Sequence, residues 1–237
     1  ELGNWYVGQK QGEIWGYETY GLFQSEQEIA GAAIQDKVSG GIKLMPGDIR
    51  FVDRNNDGVI DWGDNTVDNP GDMKIIGNST PRYHYGINLG ADWKGFDLGI
   101  FFQGVGKRDL YLPGTSFRSH YGSEWQVPSA YNNDYWTEEN TGAYFPRARF
   151  NGGSAINQAQ TRYLVDASYC RLKSLSIGYT LPKVLTKKAS IEKIRIYFTG
   201  ENLFTISDTP DGLDPELDNP YKYPMQRSLS VGLNLTF

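Results

Sequence analysis

Hydrophobic and polar residues alternate strictly along five stretches of this chain, and each predicts a β-strand. The clearest runs from Leu229 to the last residue: Leu229, Val231, Leu233, Leu235 and Phe237 alternate with Ser230, Gly232, Asn234 and Thr236. Tyr83 to Trp93 repeats the pattern, with Tyr83, Tyr85, Ile87, Leu89, Ala91 and Trp93 against His84, Gly86, Asn88, Gly90 and Asp92. Lys94-Gly95 then turns the chain, and Phe96, Leu98, Ile100 and Phe102 continue the alternation as the second arm of a tight hairpin. A fourth strand starts at Lys173, carries Leu175, Ile177, Tyr179 and Leu181 on one face, and stops at Pro182. Ile194, Ile196 and Phe198 open the fifth, which the last strand is expected to pair with.

Between the strands the periodicity fails, and the gaps are unequal. Glu1 to Ser25 is rich in Gly and aromatics and reads as extended with frequent turns. Ser25-Glu26-Gln27-Glu28 resembles a capping box and predicts a short helix over Glu26 to Ala33. Residues 46–80 read as an acidic loop, 104–166 as a long loop without sustained period, and 205–223 as a loop rich in Pro and Asp. The other connections, Lys94-Gly95 and 182–192, are short. Counted along the chain, long and short connections therefore fall on opposite sides of the layer. An outer-membrane barrel sorts its loops this way, whereas a soluble sandwich has no reason to.

Strand length points the same way. About ten residues suit a tilted strand crossing a bilayer, while about five or six are usual in globular sheets. Tyr83, Trp93, Phe96, Tyr179 and Phe237 stand at or near strand ends, where barrels carry interfacial aromatics. The competing reading is a soluble antiparallel sandwich with half-buried strands, which alternation alone does not separate from a barrel wall. Five strands are too few to close, since the smallest single-chain barrels have about eight. An open edge in lipid would cost several kcal/mol per unpaired backbone group. The expected architecture is thus all-β, a C-terminal fragment of a larger antiparallel transmembrane barrel with long extracellular loops.

Composition narrows the function classes. The chain has 237 residues, with 23 Lys and Arg against 28 Asp and Glu, and a net charge of −5. No basic stripe is present to neutralise phosphates, which argues against a nucleic-acid partner. The single cysteine, Cys170, excludes an intrachain disulfide. No apolar run has the length of a membrane-spanning helix, a fact that does not bear on barrels. With Glu1 in place of an initiator Met and no signal peptide, the chain is expected to be a processed or excised piece, or the mature end of something longer.

One loop carries candidate metal chemistry. In Asp53-Arg-Asn-Asn-Asp-Gly-Val-Ile-Asp-Trp-Gly-Asp64, oxygen donors follow calcium-loop spacing. Asp53, Asn55 and Asp57 take the first ligand positions, Gly58 the sharp turn, Val59 the backbone carbonyl, Asp61 the next position and Asp64 the last. Ca²⁺ prefers six to eight hard oxygens, and this set favours it over Mg²⁺. Asp64 stands where Glu is usual, and its shorter arm reduces bidentate reach. The competing reading is a loop of Asx-turns that binds no metal.

The same stretch resembles a known family. Pro46-Gly-Asp-Ile-Arg-Phe-Val-Asp-Arg-Asn-Asn-Asp-Gly-Val-Ile60 is similar to a segment of SusC/RagA-type TonB-linked (TonB-dependent) outer-membrane transporters of Bacteroidetes. The likeness continues in order through Ile76-Gly-Asn-Ser-Thr-Pro-Arg-Tyr-His-Tyr-Gly86, Lys94-Gly-Phe-Asp-Leu98 and Phe102-Gln-Gly104. It resumes at Arg171-Leu-Lys173 through Gly178-Tyr179 to Leu181-Pro182, then Gly200-Glu-Asn-Leu-Phe204, Asp214-Pro-Glu216, Tyr223-Pro224 and the closing Gly232-Leu-Asn-Leu-Thr-Phe237. Upstream, Trp15-Gly-Tyr-Glu-Thr-Tyr-Gly-Leu-Phe-Gln-Ser25 matches as well. The resemblance covers nearly the whole chain. It implies the C-terminal part of an antiparallel transmembrane β-barrel of about 22 strands, with the plug domain and early strands elsewhere.

The function this implies is TonB-dependent import of a bulky nutrient, an oligosaccharide or peptide, with a SusD-like surface lipoprotein. TonB would act through the N-terminal part, and this chain would supply wall strands and external loops. Trp125, Tyr131, Tyr135 and Trp136 are candidates to stack on substrate or pack against the lipoprotein; the alternative is that they pack the loops on themselves. Leu233, Leu235 and Phe237 resemble the terminal signal read by outer-membrane assembly machinery. A soluble calcium-stabilised carbohydrate-binding sandwich is the second reading. An enzyme finds little support: His84 and His120 are the only histidines, and no nucleophile triad or phosphate loop is visible. Glu138-Glu139 would point apart on an extended chain, so no glycosidase pair is claimed. Arg147 and Arg149 could contact an anionic substrate or balance nearby acids.

Overall fold

The computed structural model describes residues 2–111, 134–149, 153–187, 190–210, 213–217 and 223–237. In chain order the elements are β1 (Glu13–Tyr17), β2 (Thr19–Leu22), α1 (Glu26–Ala30), α2 (Asp36–Ser39), β3 (Ile49–Phe51), β4 (Met73–Asn78), β5 (Tyr83–Trp93), β6 (Phe96–Gly106), β7 (Asp109–Tyr111), β8 (Leu164–Asp166), β9 (Tyr169–Thr180), α3 (Lys183–Thr186), β10 (Lys193–Glu201), β11 (Thr205–Ser207) and β12 (Ser228–Thr236). They form two compact units, 1–80 with 109–165 and 81–108 with 166–237.

The second unit is one sheet with the antiparallel order β12-β10-β9-β6-β5, and the short β11 pairs with the start of β9. All five predicted strands are present, 9 to 12 residues long. Neighbours in the sheet are successive long strands of the chain, as in an up-and-down meander, with β7, β8 and β11 lying in the connections. Lys94 and Gly95 have φ of 49° and 91° and join the directly paired Trp93 and Phe96. Two positive-φ residues make the turn whose twist matches a hairpin. β5 and β12 are the two edges of this open sheet.

The fourth strand departs from expectation. β9 begins at Tyr169, four residues before the alternation does. Its pairing with β6 is regular to Ser174↔Phe101 and resumes at Leu172↔Phe102, leaving Lys173 without a partner across β6. Such a bulge shifts side-chain parity by one. Leu172 therefore joins the row of Phe102, and the alternation scored from Lys173 onward could not be extended backward.

The first unit has a conventional core. Phe23, Val38, Ile49 and Ile60 are fully buried, with Ile156 and Tyr163 nearly so. Short two-stranded ladders surround it, β1 with β4 and β2 with β3. Residues 46–80 are thus not wholly loop, since β3 and β4 lie within them, and 104–166 contains β7 and β8, which pair. These strands are three to six residues long, too short for alternation to stand out. The helix predicted from Ser25 is real but stops at Ala30. Ser25 Oγ accepts from the Glu28 N–H at 3.2 Å, and the Glu28 carboxylate accepts from the Gln24 N–H at 2.9 Å.

Candidate functional site

The apolar residues of the sheet form one continuous face. Register aligns them in rows across the strands: Trp93, Phe96, Tyr179, Ile196 and Leu233 in one, Ala91, Leu98, Ile177, Phe198 and Val231 in the next. A third row runs Leu89, Ile100, Leu175, Gly200 and Leu229. Few of these side chains are covered. Trp93, Leu89, Phe96, Leu98, Ile177, Ile196, Leu233 and Leu229 are exposed, and Val231 is 77% exposed. Water-soluble surfaces rarely carry apolar patches this extensive. A face of this kind is stable in contact with hydrocarbon, provided that the backbone hydrogen bonds are closed within the sheet.

The opposite face is built around polar groups and glycines. Arg195 reaches across β9 to Asp97, with Nε 2.9 Å from Oδ1 and Nη2 2.5 Å from Oδ2. Gly178 makes this possible, because a Cβ there would lie 2.5 Å from both Asp97 Oδ1 and Arg195 Nη2. Gly232 does the same for Tyr197, whose Cζ would sit 2.2 Å from an added Cβ, and the Arg195 guanidinium lies 4.9 Å from that ring's centroid.

At the other end of β9, the bulge delivers Arg171 to a buried ion cluster. Its Nη2 is 2.6 Å from Asp214 Oδ1, its Nε donates to Thr205 Oγ1 at 2.7 Å, and Nη1 pairs with Glu216 Oε1 at 3.0 Å. Lys173 Nζ approaches Glu216 at 2.8 Å, and Arg108 donates to the Pro215 carbonyl. Burial alone would raise the Asp214 pKa, but the Arg171 hydrogen bond and the N–H groups of Met225 and Glu216 outweigh it and hold it low. Two motifs far apart in sequence, Arg171-Leu-Lys173 and Asp214-Pro-Glu216, thus form one clamp that fixes residues 214–216 to the strand. Complementary charge was the available signal, but nothing in the alternation pairs them.

The acidic loop, in the first unit, is gathered at its start and divided at its end. Asp53 accepts from the N–H groups of Asn56 and Gly58, Asn55 from Asp57, and Asp57 from Val59. Gly58 takes φ of 84°, as the sharp turn requires. Each carboxylate retains further acceptor sites for a hard cation. Asp61, however, is engaged by Lys37 at 2.6 Å, and this hydrogen bond with the Gly63 N–H holds its pKa low. Asp64 accepts from Asn69. Among the described residues, no group of three or more His, Cys, Asp or Glu side chains is placed to hold a metal ion. The donor chemistry of Asp53, Asn55 and Asp57 fits calcium; the positions of Asp61 and Asp64 are committed elsewhere.

Of the candidate aromatics, Trp125 and Tyr131 lie outside the described residues. Trp136 is only 3% exposed: its indole N–H donates to Gln24 Oε1 at 3.1 Å, and Arg147 lies over its ring. Tyr135 is partly exposed and lines a small cleft with Glu138, Glu139 and Arg147. Phe237 is 84% exposed beyond the end of β12, and Leu233 and Leu235 are exposed on the apolar face.

No protein-family model matches the chain. It is 32% identical over 97% of its length to TonB-dependent receptor P3 of Formosa agariphila. The chain belongs to the TonB-dependent receptors. Receptor P26 of the same organism is 27% identical over 98% of the chain. The chain spans about a fifth of these relatives, 22% and 23% of their lengths. In fold it is similar to a chain of the RagAB peptide transporter, with a TM-score of 0.65 and 22% identity over 95% of this chain and 23% of that one. The RagAB peptide importer in its closed-closed state gives 0.64 and 24% identity over 98% of this chain and 24% of that one. These are receptors and transporters, and the chain is grouped with them rather than with enzymes. Among the described residues no helix is long and apolar enough to cross a membrane, which says nothing about strands.

Proposed function

We propose that this receptor chain supplies the C-terminal wall strands and external loops of a barrel of about 22 strands, which imports a bulky oligosaccharide or peptide across the Gram-negative outer membrane. The observation that carries the reading is the exposed apolar face running through five strands long enough to cross a bilayer. TonB would act through the N-terminal part of the receptor, and a SusD-like surface lipoprotein would share the substrate. The 46–80 and 104–166 segments would stand outside the cell. Calcium, held by Asp53, Asn55, Asp57 and the Val59 carbonyl, would brace the first of them once Lys37 released Asp61.

Deleting the gene and measuring growth on defined polymers tests import; unchanged growth on every one would sink it. Membrane fractionation separates this reading from a soluble carbohydrate-binding module, which would appear in the aqueous phase without detergent. Removing Phe237 should lower the receptor's level in the outer membrane with synthesis intact, since Leu233, Leu235 and Phe237 would act as the assembly signal; normal levels would contradict that role.

A further inference from the structure

The first unit contains a polar cleft of about 340 Å³ lined by Tyr20, Gln24, Glu28, Arg50, Thr141 and Arg162, among others. Its size falls in the range of small-ligand sites. The backbone around it is specialised. In the β2–β3 pairing, Thr19 faces Phe51 and Gly21 faces Arg50, so Tyr20 is an extra, bulged residue. The bulge needs Gly21, whose φ is 123°. Bulges of this kind re-aim a side chain, and Tyr20 is left 70% exposed. Beside it, the Arg50 guanidinium lies 5.2 Å from the Tyr20 ring centroid and 5.8 Å from that of the buried Phe23.

The walls are held in place before any ligand arrives. Arg162 donates through Nε to the Tyr144 carbonyl at 2.8 Å and through Nη2 to the Ala143 carbonyl, leaving Nη1 beside Gly21. Gln24 is fixed by the Leu22 carbonyl and the Trp136 indole. Glu28 is held by the Gln24 N–H. Among the described residues, neither Arg50 nor Arg162 forms an ion pair. Two part-buried guanidinium groups outside any ion pair face a cleft whose one lining carboxylate, Glu28, is engaged by the Gln24 N–H, and which otherwise offers neutral hydrogen-bonding groups and one flat aromatic surface.

We propose that this cleft binds a uronic-acid unit of an acidic oligosaccharide, with the sugar carboxylate on Arg50 and Arg162 and the ring against Tyr20. The chemistry matches part by part. A carboxylate takes charge-assisted hydrogen bonds from guanidinium groups, the C–H face of a sugar packs on an exposed ring, and hydroxyls pair with Gln24, Glu28 and Thr141. The assignment rests on the import reading above and narrows its substrate class.

The test is titration calorimetry on the full-length receptor in detergent, with a galacturonate trimer, the neutral galactose trimer and a triglutamate peptide as probes. The acidic trimer should bind about tenfold or more tighter than the neutral one, the scale of a charged hydrogen bond, and the gap should narrow with salt. Arg50→Met removes the guanidinium, keeps an unbranched apolar side chain and should erase the gap, while Arg50→Lys should keep part of it. An unchanged gap in Arg50→Met, equal binding of both sugars by the wild type, or triglutamate binding as tightly as the acidic trimer would each overturn the proposal. Binding and import are read separately: a receptor that imports without charge discrimination sinks only this inference, and one that discriminates without supporting growth sinks the import reading.

Discussion

The two units place their apolar residues on opposite sides of the same rule. In the first, Phe23, Val38, Ile49 and Ile60 are shielded from solvent, while charged groups such as Lys37 and Asp57 stay outside. In the second, Leu89, Ile177, Val231 and Leu233 face outward, and the charged pair Asp97–Arg195 lies on the other face. Under the import reading, one chain follows both patterns because the surroundings that complete each part differ. Water drives the first to bury its hydrocarbon. A bilayer exerts no such drive and instead demands that backbone groups be paired, which the ladder provides between its strands and leaves open at the β5 and β12 edges.

The contrast can be broken most forcefully in the first unit. Phe23→Ala removes a fully buried ring and should cost about 3–5 kcal/mol there, visible as faster hydrogen exchange around α1 and β3 with the sheet unchanged. Equal loosening in both units would mean that they do not hold separate cores. A smaller effect separates the two faces of the sheet. Ile177→Arg, on the outward face, should lower stability in vesicles by about 2–4 kcal/mol if the residue sits near the bilayer midplane. Ser174→Arg, on the polar face opposite Glu201, should be tolerated, and urea titration of receptor folded into vesicles compares them. Equal penalties would remove the inside-out reading.

Acid should act on the first unit through named groups. Asp61 is held low by Lys37 and the Gly63 N–H, and Asp134 by Asn140 and the Tyr144 N–H. A carboxyl whose folded pKa is depressed contributes stability above its unfolded pKa and loses it as pH falls through the folded value. Between pH 7 and about pH 5 little should change, and below about pH 4 the segments near residues 61 and 134 should become more open to pepsin. The outward rows of the sheet carry no titrating partner pairs and should not follow. The smallest effect concerns metal: calcium should modestly protect residues 53–64 from proteolysis, and Lys37→Met should enhance the protection by freeing Asp61. No change in either protein at millimolar Ca²⁺ would leave the loop as Asx-turns alone.

Legibility followed the range of the interactions. The long strands were readable because alternation depends on a residue and its neighbours two positions away, and both the Lys94-Gly95 turn and the Ser25 cap are equally local. β1 and β2 read only as extended chain, and β3 and β4 as loop, because three to six residues give alternation too little to act on. The calcium-type spacing was plain in the sequence, yet the pairing of Asp61 with Lys37 joins residues that spacing treats as unrelated. Trp136 was a candidate for ligand contact by residue type, and its burial against Gln24 and Arg147 depends on chain segments over a hundred residues apart.

By itself, then, the sequence determined the period, length and order of the strands, the polarity of each face, and the local turns and caps, because each depends on covalent neighbours. The tertiary structure alone decided where the bulge at Lys173 reversed the parity of β9, which acid met Arg171, and how Tyr20 and Arg50 came to wall one cleft. Those outcomes depend on register between strands and on charges brought together from distant segments, and no local pattern encodes either.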